Sequence, residues 1–338
     1  RRWLSSGSAR FSRSNERTNR LSTTMPRRSV FRFLLITLLT LSVLTPVNST
    51  WTERSPGGST KIWASITSSS DGTKLAAVAW EGNIWTSTDS GVTWTERSPG
   101  VMEESWAGIT SSSDGIKLAA VSDYFSAGHI WISADSGATW NERSISSTGR
   151  SQNWVSITSS SDGTKLAAVV SNGNIWTSTD YGATWTEDTS VGSTKEWYSI
   201  TSSSDGSKYA AVVSGGNIWT STDSGAHWTE VTSSWGWWGG ITSSSDGTKL
   251  TAAGWNAGIW NSTDSGSTWT QNNLGNQDLN WQGITSSSDG TKLAAVVSEG
   301  NIWTSTDSGA TWTEAPGPRA PPWGVRNKTP PWGVRKMA

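Results

Sequence analysis

The stretch Asn83-Ile-Trp-Thr-Ser-Thr-Asp-Ser-Gly-Val-Thr-Trp-Thr-Glu96 constrains this chain more than any other, because it recurs. Near copies place a turn aspartate at Asp89, Asp135, Asp180, Asp223, Asp264 and Asp307, at intervals of 46, 45, 43, 41 and 43 residues. A fixed period of this size means a chain of stacked units, each too small to bury its apolar face alone. The shared core, Ser-x-Asp-x-Gly-x-Thr-Trp, reads as a hairpin. Asp can bond the backbone N–H groups of its own turn, and Gly supplies a positive φ that side chains resist. Thr and Trp then open a new strand, with Trp facing apolar packing.

Each copy sits inside a longer unit. In the first, Trp63-Ala-Ser-Ile-Thr is followed by Ser-Ser-Ser-Asp71-Gly72 and Leu75-Ala-Ala-Val-Ala, then Gly82-Asn-Ile-Trp85 and the recurrent turn. Asp-Gly between apolar runs is a hairpin signal. Four strands per unit follow: a around Trp63–Thr67, b over Lys74–Ala79, c over Asn83–Ser87 and d over Thr93–Glu96. Strand b has no polar alternation, as expected where neighbours cover both faces. Three Trp recur per unit, so six units hold 18 of the 26 Trp, read as core packing. The expectation is an all-β fold, a six-bladed propeller over residues 50–314, with the turn aspartates structural.

The recurrent turn resembles the Asp-box (BNR) repeat of sialidases, sortilin-type receptors and photosystem II stability/assembly factors. The resemblance covers roughly residues 50–314 and implies a β-propeller, but these families differ widely in activity. Closure is left open. Thr50-Trp-Thr-Glu53 is a lone d strand ahead of the first full unit, while the last unit has its own in Thr311-Trp-Thr-Glu314. Two segments claim one edge.

The flanks differ from the body. Residues 1–49 carry nine Arg and one Glu; residues 315–338 carry five Lys or Arg and no acid. Residues 50–314 hold 12 basic and 26 acidic residues, a net −14 that disfavours nucleic acid. Met25, three Arg, the apolar run Phe33–Leu44 and small residues to Ser49 have the layout of a secretory signal peptide over about 25–49. The run is too short to span a bilayer comfortably. Export of a monomer with no membrane span is the first reading; targeting to a plastid (thylakoid) lumen is the second. The tail 315–338 is Pro-rich and doubles Pro-Pro-Trp-Gly-Val-Arg, which favours extended chain. Among the sequons, Asn261-Ser-Thr is the best glycosylation candidate.

Within each repeat the a–b and c–d turns leave one face and scarcely vary. The b–c and d–a loops leave the other and do vary. They carry Trp80, Glu81, Glu103, Glu104, Asp123, Tyr124, Phe125, Trp235, Trp237, Trp255 and Asp278. Aromatics beside carboxylates suit a glycan or a partner protein, so this face is the candidate ligand-binding surface. No cofactor and no metal site are expected. The chain has no Cys, and His129 and His227 read as isolated repeat variants. The sialidase resemblance would require an arginine triad and a Tyr nucleophile. Arg54, Arg97 and Arg143 share one repeat position, leaving only Arg150, so no sialidase residue carries over. Two other readings stand beside the non-catalytic binder. One is a photosystem II stability/assembly factor-like protein. The other is a glycoside hydrolase that uses paired carboxylates among the loop acids.

Overall fold

The computed structural model describes residues 53–58, 61–99, 104–123, 128–143, 152–272, 279–298 and 300–315. The four-strand reading holds in every repeat. In the first, Trp63–Ser68 pairs antiparallel with Leu75–Ala79, that strand with Ile84–Ser87, and the last with Thr95–Arg97. The b strand Leu75–Ala79 is buried at all five positions, which explains its lack of alternation. The only helical segment among the described residues is the short turn Pro56–Gly58.

Repeats 1, 2 and 6 each form a separate four-stranded sheet, whereas repeats 3, 4 and 5 merge into one of ten strands. The merger has a local cause. Strands b and c of repeat 4 run on as Tyr209–Ser221, and strand d of repeat 4 continues into strand a of repeat 5 as Thr229–Ser243. The pairs Ser171↔Glu196 and Ser214↔Trp237 then stitch each b–c loop to the next repeat.

The two turn types meet on one face, as expected. In every repeat the residue after the turn Asp donates its N–H to the a–b turn, from Ser90 to Thr73 at 2.9 Å and from Ser308 to Thr291 at 2.8 Å. The c–d turn is built more tightly than the sequence alone implies. Ser90 and Gly91 both have positive φ, 58° and 81°, the mirror-image turn that matches strand twist. Asp89 holds it. Its carboxylate accepts the Thr93 N–H at 2.8 Å and the Thr93 hydroxyl at 2.5 Å, while the Ser87 hydroxyl donates to it at 2.8 Å.

Neighbouring repeats join through a junction repeated five times. The Ser70 N–H donates to the Ser113 carbonyl, and the same link runs Ser113 to Ser161, Ser161 to Ser204, Ser204 to Ser245 and Ser245 to Ser288, at 2.6–2.8 Å. Beneath it, Ala76, Val78 and Ile84 of repeat 1 pack on Trp106, Ile109, Ala120 and Trp131 of repeat 2. The recurrent Trp of strands a and c are mostly core residues, whereas those of strand d are half-buried at its edge. Those of strand a from repeats 2 to 6 are at most 1% exposed.

Among the described residues, no such link joins Ser288 to Ser70. The last repeat does keep its own d strand, since Trp303 pairs with Glu314 and Thr304 with Thr313. Thr50–Thr52, the proposed signal segment and the Pro-rich tail lie outside the described residues.

Candidate binding face

The b–c hairpins turn through a left-handed residue: Glu81, Asn172, Gly215 or Asn256, with φ of 51–61°. In repeats 1, 3 and 4 the Gly that follows accepts the indole N–H of the next repeat's strand-a Trp, and Gly128 does the same in repeat 2. Trp106 donates to Gly82, Trp154 to Gly128, Trp197 to Gly173 and Trp238 to Gly216, at 2.9–3.2 Å. These four loops are thus fastened at their bases, and what projects beyond them is free to differ.

Three of the expected aromatics come together. Trp237 pairs across the strands with Trp255, and the Trp235 and Trp237 rings meet edge to face with centroids 6.2 Å apart. Trp235 is 60% exposed and Trp255 45%. Two glycines make the approach possible. A Cβ on Gly254 would fall 2.3 Å from the Trp237 carbonyl, and one on Gly215 only 3.0 Å from the Trp237 ring. Other repeats carry Ala, Ser or Val where repeat 5 has Gly254.

The remaining candidates divide. Trp80 is half-buried on repeat 1, its backbone N–H tied to Ile62 at 2.7 Å and its indole N–H buried without a partner. Glu81 is exposed beside it. Glu103, Tyr124, Phe125 and Asp278 lie outside the described residues.

One expectation needs correction. His129 is a repeat variant, standing where Asn83, Asn174, Asn217 and Asn301 stand, but it is not isolated. Each of those Asn donates to the Glu thirteen residues on, as Asn83 does to Glu96 at 3.0 Å. His129 keeps that neighbour, Glu142, at 3.7 Å and reaches back to Glu104 at 3.0 Å. Glu104 is 4% exposed, and its second oxygen, Oε2, is buried without a hydrogen-bond partner. Asp123 is equally buried nearby, its N–H bonded to the Ser105 carbonyl at 2.8 Å. His227 does behave as a simple variant. It replaces the turn Thr and contacts its own Asp223 at 2.6 Å.

The position two residues before the strand-a Trp explains the logic. In repeats 1 and 4 it is Lys61 and Lys195, whose ammonium groups lie 4.9 and 4.6 Å from the centres of Trp85 and Trp219. In repeat 2 it is Glu104, which cannot cap a π face, and His129 accepts the role of partner instead. That ring stands edge-on to Trp131.

The turn aspartates have a different character. Hydrogen bonds from Thr93, then from Ser87, hold the Asp89 carboxyl down at about 2. Asp135, Asp180 and Asp307 sit at about 2 for the same reason, each with its own Thr as the largest cause. Such carboxylates stay ionised and occupied, the opposite of a general acid. Asn261 occupies the strand-c position that is Thr in four other repeats. Its Nδ2 donates to the Gly309 carbonyl of repeat 6 at 3.3 Å, and its Oδ1 is buried without a partner. The group to which a glycan would attach is therefore engaged at a junction.

No protein-family model matches the chain, and no curated protein matches it in sequence. Solved structures do match its fold. YCF48 from Cyanidioschyzon merolae is 18% identical with a TM-score of 0.60, over 76% of this chain and 85% of that one. YCF48 bound to a D1 peptide gives 14% and 0.58, over 75% and 81%. The GH74 xyloglucanase from Xanthomonas campestris gives 14% and 0.60, over 75% of this chain but 45% of that one. The β-propeller domain of Myceliophteria thermophila Cps50 (Swd1) gives 12% and 0.61, over 78% and 87%. These proteins differ in kind and agree in architecture. The class defined here is the β-propeller, an all-β assembly of four-stranded antiparallel sheets.

Proposed function

We propose that this chain is a non-catalytic binding propeller, with its six repeats as six full blades, whose b–c/d–a face takes an extended segment of a partner protein. The observation that carries the reading is the cluster of the exposed Trp235 and Trp255 around the half-buried Trp237, held by strands that run past the blade. Rigid exposed rings of this size are the usual anchors of an interface. The body's net −14 favours a basic segment. The D1 peptide bound to YCF48, a propeller of similar fold, supports peptide binding in general terms. An assembly role of the photosystem II stability/assembly factor kind, in a plastid lumen, is the specific form of this reading. Export to the cell exterior is the other.

A neutral glycan is the second reading, favoured by the same rings, since stacking on Trp needs no charge. Catalysis is the least supported. Glu104, a buried carboxylate on this face, is engaged by His129. The test uses arrays of basic and neutral peptides and of glycans, probed at low and high salt. Peptide binding that weakens with salt and is lost in Trp235→Ala and Trp255→Ala supports the first reading. Salt-resistant glycan binding lost in the same variants supports the second. Binding that survives both substitutions removes this face from consideration. Turnover of a β-glucan, lost in Glu104→Gln, would establish the enzyme instead.

A further inference from the structure

The rings on the loop face of repeat 5 make a corner. The Trp235 and Trp237 planes cross at 74° with centroids 6.2 Å apart, and Trp237 pairs across the strands with Trp255. A flat ligand can lie on one of two nearly perpendicular rings, whereas a compact, rounded group can touch both. The corner is open to solvent, since Trp235 is 60% exposed and Trp255 45%.

This stretch of chain is also nearly free of charge. Between Glu230 and Asp278 the only ionisable side chains are Asp246, Lys249 and Asp264. All three serve the opposite face. Asp246 and Asp264 hold turns through the N–H groups of Thr248 and Thr268, and the Lys249 ammonium reaches the Asp289 carbonyl at 2.9 Å. The repeat 4 hairpin tip against the Trp237 ring, Ser214-Gly-Gly216, is uncharged as well. The base of the Trp255 hairpin is altered in the same sense. Where the other five repeats carry an exposed Glu, at Glu96, Glu142, Glu187, Glu230 and Glu314, repeat 5 has Gln271, whose amide donates to the Ala257 carbonyl at 3.0 Å.

The fold already sets cations on indole faces, since the Lys61 and Lys195 ammonium groups lie 4.9 and 4.6 Å from the centres of Trp85 and Trp219. The body's net −14 draws cations to the molecule as a whole. An ammonium that carries N–H groups needs acceptors once its water is displaced, and this corner offers rings in place of carboxylates. A fully methylated ammonium has no N–H to satisfy, and the ring quadrupoles attract its charge. We propose that Trp235, Trp237 and Trp255 form an aromatic site for a quaternary ammonium group. The proposal rests on the partner-segment reading above and names the group that anchors such a segment, a trimethylated lysine. Choline presents the same chemistry free in solution.

Calorimetric titration of the full chain tests this. The probes are choline, the neohexyl alcohol that replaces its nitrogen by carbon, and one basic peptide made with either lysine or trimethyl-lysine. Choline should bind at least about 10-fold tighter than the uncharged alcohol, and the trimethyl-lysine peptide about 10-fold tighter than its unmodified form. Trp235→Leu and Trp255→Leu should each remove both preferences, while Trp255→Tyr should retain them. Unchanged thermal midpoints identify the variants that fold. Gln271→Glu restores the carboxylate of the other repeats and should narrow the gap between the two peptides. Equal binding of choline and the alcohol overturns the proposal, as does an absence of choline binding. Equal binding of the two peptides, still lost in Trp255→Ala, also overturns it but leaves the partner-segment reading standing. Choline binding without any peptide binding keeps the site, assigns it to a free quaternary ammonium solute and removes that reading instead.

Discussion

The Trp106 indole N–H donates to the Gly82 carbonyl across the junction of repeats 1 and 2, at 3.0 Å. One side chain thereby fills the core between two repeats and fastens the loop base of the preceding one. The ring is fully buried and meets Trp131 edge to face at 6.5 Å. Stability and the variable face are coupled through these four tryptophans, since the carbonyls they hold lie at the ends of the b–c hairpins.

Trp197→Phe keeps an aromatic ring but removes the donor to Gly173 and part of the buried volume. A loss of about 2–3 kcal/mol is expected from urea unfolding, combining a missing hydrogen bond with a partly filled cavity. Trp94→Phe is the matched comparison. Its ring is only half-buried, and its N–H serves the local Gly91 carbonyl at 3.1 Å, so its cost should be under half as large.

Gly137 is held at φ +82°, and a Cβ there would stand 2.7 Å from the Thr86 methyl of the preceding repeat. Gly137→Ala should destabilise by about 2–3 kcal/mol, the sum of a left-handed Ala and a contact at the junction. Thr86→Ser removes the methyl and should recover part of that loss. A double-mutant cycle measures the coupling; additive costs would mean the junction relaxes around the new Cβ.

The turn aspartates set an acid limit. Asp71, Asp89, Asp135, Asp162, Asp180, Asp205, Asp223, Asp246 and Asp307 are lowered from 3.8 to about 2 by hydrogen bonds in the fold. A carboxyl that titrates lower when folded stabilises the fold above its unfolded value. That contribution is lost as pH falls through the folded value. Thermal midpoints should be flat above about pH 5 and fall steeply between about pH 4 and pH 2. In Asp180→Asn the same curve should fall less, because one titrating group is gone. An unaltered acid limb in that variant would remove the turn carboxylates as its cause.

Asn261→Thr restores the residue found at this position in four other repeats and removes an amide oxygen that is buried without a partner. A gain of about 1 kcal/mol is expected. The same variant destroys the sequon, so the mass of the protein from a glycosylating host reports on the site directly. Masses that differ only by the side-chain substitution, with no glycan increment lost, are expected, because Nδ2 is engaged at Gly309.

Much of this architecture is legible in the chain because a repeat is read six times. Ser-Ser-Ser-Asp-Gly and Ser-x-Asp-x-Gly-x-Thr-Trp give the turns, and the invariant turns and variable loops separate the two faces. What escapes is anything made by residues outside the repeat. Glu104 and His129 are 25 positions apart in separate loops, and no periodicity links them. The meeting of Trp237 and Trp255 depends on strands that continue past their turns, at Thr229–Ser243, where the sequence signals a loop. Gly215 and Gly254 are the visible trace of that approach, each standing where a larger residue would block Trp237.

His129→Asn isolates Glu104, a buried acid on the candidate face. The substitution looks conservative, since Asn holds this position in four other repeats and bonds the downstream Glu. Here it shortens the side chain and withdraws the partner of Glu104, whose carboxylate is 4% exposed and already has one unpartnered oxygen. Breaking a buried pair by removing one member costs more than the pair contributes, because the other charge stays in place. His129 is about a third exposed, so water offsets part of that cost. A loss of about 1–3 kcal/mol at pH 7 is expected in urea unfolding. Adding Glu104→Gln should return most of it, since a neutral amide is far less costly to leave buried. The pair also separates structure from chemistry. If the double variant regains stability and keeps binding at Trp235 and Trp255, Glu104 and His129 serve the loop base alone. A double variant that stays as unstable as His129→Asn would mean that His129 acts through its packing on Trp131 and not through Glu104.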